Sequence, residues 1–119
     1  MPVQTYKDLI VWQKAMDLTV EIYRLVKLLP DFETYALADQ MRRAAVSIPS
    51  NIAEGQGRKF TKEYVKFLSF ARGSQAELET QLQICVRLKY LSDEDVEVAF
   101  RLCQEISKML VAIMKKIGG

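Results

Sequence analysis

Four stretches of this chain place an apolar residue at every third or fourth position. That spacing commits them to helices, because a half-buried strand needs every second position. The first stretch, about residues 8–29, carries Leu9, Trp12, Met16, Val20, Tyr23 and Val26, and is stopped by Pro30 and Asp31. The second, about 35–54, carries Leu37, Met41, Ala44, Ala45, Ile48 and Ile52, with Gly55 and Gly57 closing it. The third, about 61–90, carries Tyr64, Phe67, Ala71, Leu78, Leu82, Cys85 and Leu88, with Thr61 as the expected N-cap. The fourth begins after Ser92, a capping residue followed by Asp93, Glu94 and Asp95, and ends at Gly118. Its stripe is Val96, Phe100, Cys103, Ile106, Leu110, Ile113 and Ile117.

With 119 residues the chain is one domain, and 5 Gly and 3 Pro argue against a turn-rich β fold. Four long segments joined by short connections predict an all-α fold, an antiparallel up-down four-helix bundle. Pro49 falls inside the second segment, where it removes the amide that would bond the Ala45 carbonyl. A kinked second helix is expected, with Ser47, Ser50 and Asn51 able to satisfy freed backbone groups. Two shorter helices broken near Ile48 are the alternative.

The composition narrows function mostly by exclusion. There is no His, so the commonest general base, Ser-His and Cys-His nucleophile pairs and the commonest metal ligand are gone. No carboxylate pair stands out on an apolar face and no Glu-x-x-His occurs, so no enzyme, metal or cofactor is expected. Cys85 and Cys103 lack redox or metal spacing and read as buried hydrophobes. The start of the chain lacks a signal-peptide pattern, and the longest apolar run, 109–114, is far short of the ~18 residues a membrane span needs. A cytoplasmic, non-membrane protein is expected.

Two regions are apolar on every side: Leu9, Ile10, Val11 and Trp12 in sequence, and the run that includes Met109, Val111 and Met114. Part of each must face away from a bundle core, which points to a homo-oligomer through Leu9, Ile10, Trp12, Met109, Val111 and Met114. On the second segment Gln40, Arg43, Ser47, Asn51 and Glu54 share one face. This face reads as a polar seam, with Glu77 or Glu79 of the third segment available to Arg43. A ligand near Gln40, Ser47 or Asn51 is a more remote reading.

Charge is uneven although the total is only +2. Residues 58–91 hold seven cations and three acids, whereas 92–119 hold four and five. Arg58, Lys59, Lys62 and Lys66 crowd the start of the third segment, beside Phe60 and Tyr64. With Arg42 and Arg43 they are the candidate phosphate contacts of a nucleic-acid surface, which an oligomer would multiply. The competing reading is a structural scaffold or protein adaptor in which these cations are simply solvated.

Several motifs together resemble a known family. They are Leu9-x-x-Trp12-Gln13-x-Ala15, then Leu37-x-x-Gln40-x-Arg42-Arg43-Ala44-Ala45-x-Ser47-Ile48-Pro49-x-Asn51-Ile52-Ala53-Glu54-Gly55, then Tyr64-x-x-Phe67-Leu68, Gly73-Ser74-x-x-Glu77-Leu78 and Leu88-x-Tyr90-Leu91. The chain is similar to bacterial four-helix bundle proteins encoded in intervening sequences of large-subunit ribosomal RNA genes, and to the accessory variability determinants of diversity-generating retroelements. The resemblance implies an up-down bundle assembled as a ring-like homopentamer. For the retroelement relatives it also implies a basic surface that engages RNA and a reverse transcriptase.

Overall fold

A computed structural model describes residues 5–118. Helices α1 (Ile10–Val26), α2 (Leu37–Gln56), α3 (Thr61–Arg87) and α4 (Glu97–Gly118) run up, down, up and down, and no β-strand occurs among the described residues. Each helix packs on the next and α4 returns to α1, while the diagonal pairs make no close backbone approach. The bundle measures 43 × 24 × 22 Å. The four-helix reading therefore holds, with several local corrections.

The largest correction concerns α1. Its buried face is Val11, Ala15, Leu18, Ile22, Leu25 and Val26. Of the expected stripe, Val26 is buried and Leu9 and Trp12 pack against the core from its edge, whereas Met16, Val20 and Tyr23 lie on the other side, with Val20 70% exposed. Both rows have the helical period, and the core selected the aliphatic one. The helix is also shorter than expected. Tyr6–Asp8 form a separate 3-10 turn, and Leu9 is extended.

Pro49 does not split α2, which is one continuous helix. The carbonyl that Pro49 deprives of a partner, Ala45 O, accepts the Thr19 hydroxyl of α1 at 3.1 Å. That hydroxyl also lies 2.8 Å from Ala15 O, so its single proton is shared. Ser50 Oγ and Asn51 Nδ2 serve the next two carbonyls, Val46 and Ser47, each at 2.8 Å. A neighbouring helix thus supplies the bond expected from local residues.

Of the two glycines expected to close the second helix, Gly57 holds the C-cap, whereas Gly55 lies inside α2 and is buried. A Cβ there would sit 2.9 Å from Phe67 Cβ and 3.0 Å from Tyr64 Cδ1. Its role is to let α3 cross α2 closely. At the start of α3, Thr61 is the first helical residue and makes no capping bond; Phe60 holds the cap position. The far end of α3 closes with Lys89 in the left-handed region at φ 62. The Lys89 amide bonds Val86 O and the Tyr90 amide bonds Cys85 O, which satisfies the last carbonyls. Ahead of α4, Ser92 Oγ accepts the Asp95 amide at 3.0 Å, and Asp95 Oδ2 accepts the Ser92 amide at 2.9 Å. This reciprocal pair holds the Asp95 carboxyl below its usual range. α4 itself starts two residues further on.

Met41, Ile48, Ile52, Leu68, Leu78, Leu82, Ile106 and Leu110 complete the core. Cys85 and Cys103 are free and buried. Burial pushes the Cys103 thiol up to about 12 and the Cys85 thiol up to about 11. Leu88, assigned to the buried stripe from its spacing, is exposed. No described helix is long and apolar enough to cross a membrane.

Candidate nucleic-acid interface

The up-down topology sorts the charges by height along the bundle. One end gathers the start of α1, the α2–α3 connection and the end of α4, that is residues 5–17, 48–73 and 108–118. It carries ten Lys and Arg against four Asp and Glu, a net of +6. The opposite end, residues 18–47 and 74–107, carries seven against eleven, a net of −4. A nearly neutral chain folds into a strongly polarised molecule.

Within the basic end, Arg58, Lys59, Lys62 and Lys66 come together around the first turns of α3, and all four are exposed. Arg58 is tied back to Glu54 and lies over the Phe67 ring, 4.7 Å from its centroid. Lys59 and Lys66 stand 5.8 Å from the centroids of Phe60 and Phe67. None of Lys59, Lys62 and Lys66 forms an ion pair among the described residues. Burial raises the Tyr64 hydroxyl above its ordinary range, as expected of a ring wedged beside Gly55.

Lys115 and Lys116, outside the expected set, join this end. The close of α4 lies beside α3, since a Cβ on Gly118 would touch Val65 Cγ2 at 3.4 Å. Arg42 and Arg43, inside the expected set, do not join it. They sit fifteen or more residues up α2 from Arg58, roughly 22 Å by helix rise. Both are engaged by Asp39, at 3.7 Å and 3.0 Å, and Arg42 also donates to Thr34 O at 2.9 Å.

The polar seam is narrower than the spacing suggests. Ser47 Oγ and Ser74 Oγ are 2.8 Å apart across the α2–α3 contact, and Asn51 Nδ2 donates to Ser47 Oγ at 2.9 Å. Glu54 is drawn to Arg58, and Gln40 is exposed. Arg43 takes Asp39 on its own helix, so neither Glu77 nor Glu79 serves it. Those two acids hold the buried amides of α3 instead, Gln81 on Glu77 at 3.3 Å and Gln75 on Glu79 at 2.8 Å. Ser74, Gln75 and Gln81 thus belong to this seam although none of them was among its expected residues.

The surplus apolar surface divides in a similar way. Leu9, Ile10 and Met109, with Val11, Ala112 and Ile113, line an open apolar groove of about 230 Å³ between α1 and α4. Trp12 is half-buried, edge-on to Tyr6 at 5.3 Å. Val111 is exposed. Met114 turns the other way, toward Ser69, Arg72 and Gly73 of α3.

An all-α up-down bundle with one basic end and a greasy outer stripe is the class these observations define. The chain belongs to the 23S rRNA-intervening sequence protein family, whose sequence pattern matches residues 7–112. It is similar to a crystal structure described as a protein with unknown function from the S23 ribosomal protein family, from Bacteroides thetaiotaomicron. That likeness has a TM-score of 0.83 at 27% identity and covers 89% of this chain and 99% of that one. No curated protein matches the chain in sequence.

Proposed function

We propose that the chain is a non-enzymatic homo-oligomeric module, in the ring-like pentamer its resemblance implies, whose basic ends form a shared surface for RNA. The observation that carries this reading is the segregation of charge, with Lys59, Lys62 and Lys66 unpaired at the basic end. Arg58, Lys115 and Lys116 complete the phosphate contacts. Cyclic symmetry sets equivalent patches at equal height around a ring, so one protomer's modest cluster becomes a continuous basic rim. The exposed row Met16, Val20 and Tyr23 of α1, the half-buried Trp12 and the α1–α4 groove supply the apolar surface for assembly. Trp, Tyr and Met are the types enriched where protein surfaces meet.

The test is RNA binding across a salt series with the full chain. Affinity should fall linearly on log–log axes as salt rises, because each phosphate contact releases a counterion. Binding that ignores salt, or no binding at low salt, overturns the reading. Reversing charge at Lys59 and Lys62 should abolish binding while leaving the assembled mass unchanged. A protein-adaptor reading draws instead on the acidic end, where Phe32 and Tyr35 are exposed. In that case the same reversal leaves partner capture intact.

A further inference from the structure

We infer that the basic end selects single-stranded over duplex RNA, with Phe60 and Phe70 as stacking platforms for unpaired bases; this rests on the RNA reading above. Between residues 58 and 73 lie five cations and one acid, interleaved with Phe60, Tyr64, Phe67 and Phe70. These four rings divide by burial. Tyr64 and Phe67 are half-buried against Gly55 and serve the helix crossing. Phe60 and Phe70 do not, being 62% and 49% exposed.

The Phe70 ring is held in place before any ligand arrives, and the Phe60 backbone is fixed at a helix cap. Phe70 stands edge-on to Phe67 with centroids 5.8 Å apart, and Phe60 occupies the cap position of α3 beside the Lys59 ammonium. Ten residues separate them, roughly 15 Å of helix rise, with Lys62 and Lys66 in the interval. Lys62, Lys66 and Phe70 step by four along one face of α3, and Phe60 stands at the cap ahead of its first turn, so a strand finds charges for its phosphates and flat apolar surfaces for its bases.

A duplex can use only half of this arrangement. Its phosphates can reach the lysines, but its base faces are stacked inside the helix and closed to a phenylalanine. Lysines alone would bind both forms. The rings favour only the form whose bases are free, and each stacked base is worth a factor of about five or more in affinity. The complementary chemistry is therefore an unpaired, polyanionic strand.

The test uses the full chain with a labelled oligoadenylate and the same strand annealed to oligouridylate. The single strand should bind at least about five-fold more tightly than the duplex. Phe60→Leu and Phe70→Leu should each weaken strand binding by about five-fold or more. Duplex affinity, salt slope, melting temperature and assembled mass should all stay as in the parent. Phe60→Trp keeps a platform and should retain strand affinity, which separates stacking from mere apolar contact. Equal affinity for the two forms, Leu variants that bind the strand normally, or Leu variants that change the assembled mass would each overturn the inference and leave the RNA reading standing. Failure of both RNAs to bind at low salt overturns the RNA reading, and this inference with it.

Discussion

Helix α1 has two apolar faces, and the protein treats them oppositely. Leu18, Ile22 and Leu25 are wholly buried, while Met16, Val20 and Tyr23, on the same stretch of helix, remain exposed. Both rows step by three or four, so period alone cannot rank them. Chemistry separates them. The inner row is aliphatic and includes the small Ala15, and the neighbouring α2 buries the small Ala44 and Ala45. The outer row mixes Met, Val and Tyr, and Met and Tyr are side chains that tolerate partial wetting and recur at subunit contacts. A helical apolar period by itself therefore does not identify the face that turns to the core.

The comparison breaks or sharpens with five substitutions. Ile22→Ala, on the inner row, should lower unfolding free energy by about 2–5 kcal/mol in a denaturant titration, since it empties volume in a packed core. Thr19→Val, at the border between the rows, strips a hydroxyl from the carbonyl that Pro49 leaves open and should cost about 1–3 kcal/mol. In a Pro49→Ala background the restored amide takes over that carbonyl, so the same Thr19→Val change should cost less; equal costs in both backgrounds would disprove the link. Lys89→Gly touches neither row and relieves a left-handed residue, so it should stabilise the protomer by about 0.5–1 kcal/mol, read as a higher Tm. Val20→Asp should change protomer stability by no more than about 0.5 kcal/mol. Under the proposed assembly it nevertheless shifts the mass seen by light scattering toward smaller species. A Val20→Asp protomer as damaged as Ile22→Ala would erase the distinction between the faces.

The buried thiols add a pH signature to the inner side. Their folded values lie above the ordinary thiol range, so unfolded chains shed these protons first as pH rises. Their contribution to stability is complete below pH ~8.5 and drains away as pH climbs toward 11 and 12. Alkylation of Cys85 and Cys103 in native buffer at pH 8 should accordingly be slow and become fast in denaturant.

Much of the site was legible where its residues are neighbours in sequence. Arg58, Lys59, Lys62 and Lys66 lie within nine positions and stay together. Lys115 and Lys116 were hidden because the last segment counts as slightly acidic overall, its acids falling near its start and two of its lysines near its end. Arg42 and Arg43 carry the right charge at the wrong height. Gly55 is a similar case: a glycine near a helix end suggests a stop, and only the approach of Phe67 and Tyr64 reveals a crossing.

What the sequence determined alone is the number of helices, their approximate limits and the buried stripes of α2 and α4, because backbone hydrogen bonding and capping act within a few residues. The tertiary structure decided which face of α1 turns inward, which helix supplies a proton to Ala45 O, and which lysines share an end. Those outcomes depend on segments tens of residues apart, whose contact energies exist only once the helices are antiparallel and packed.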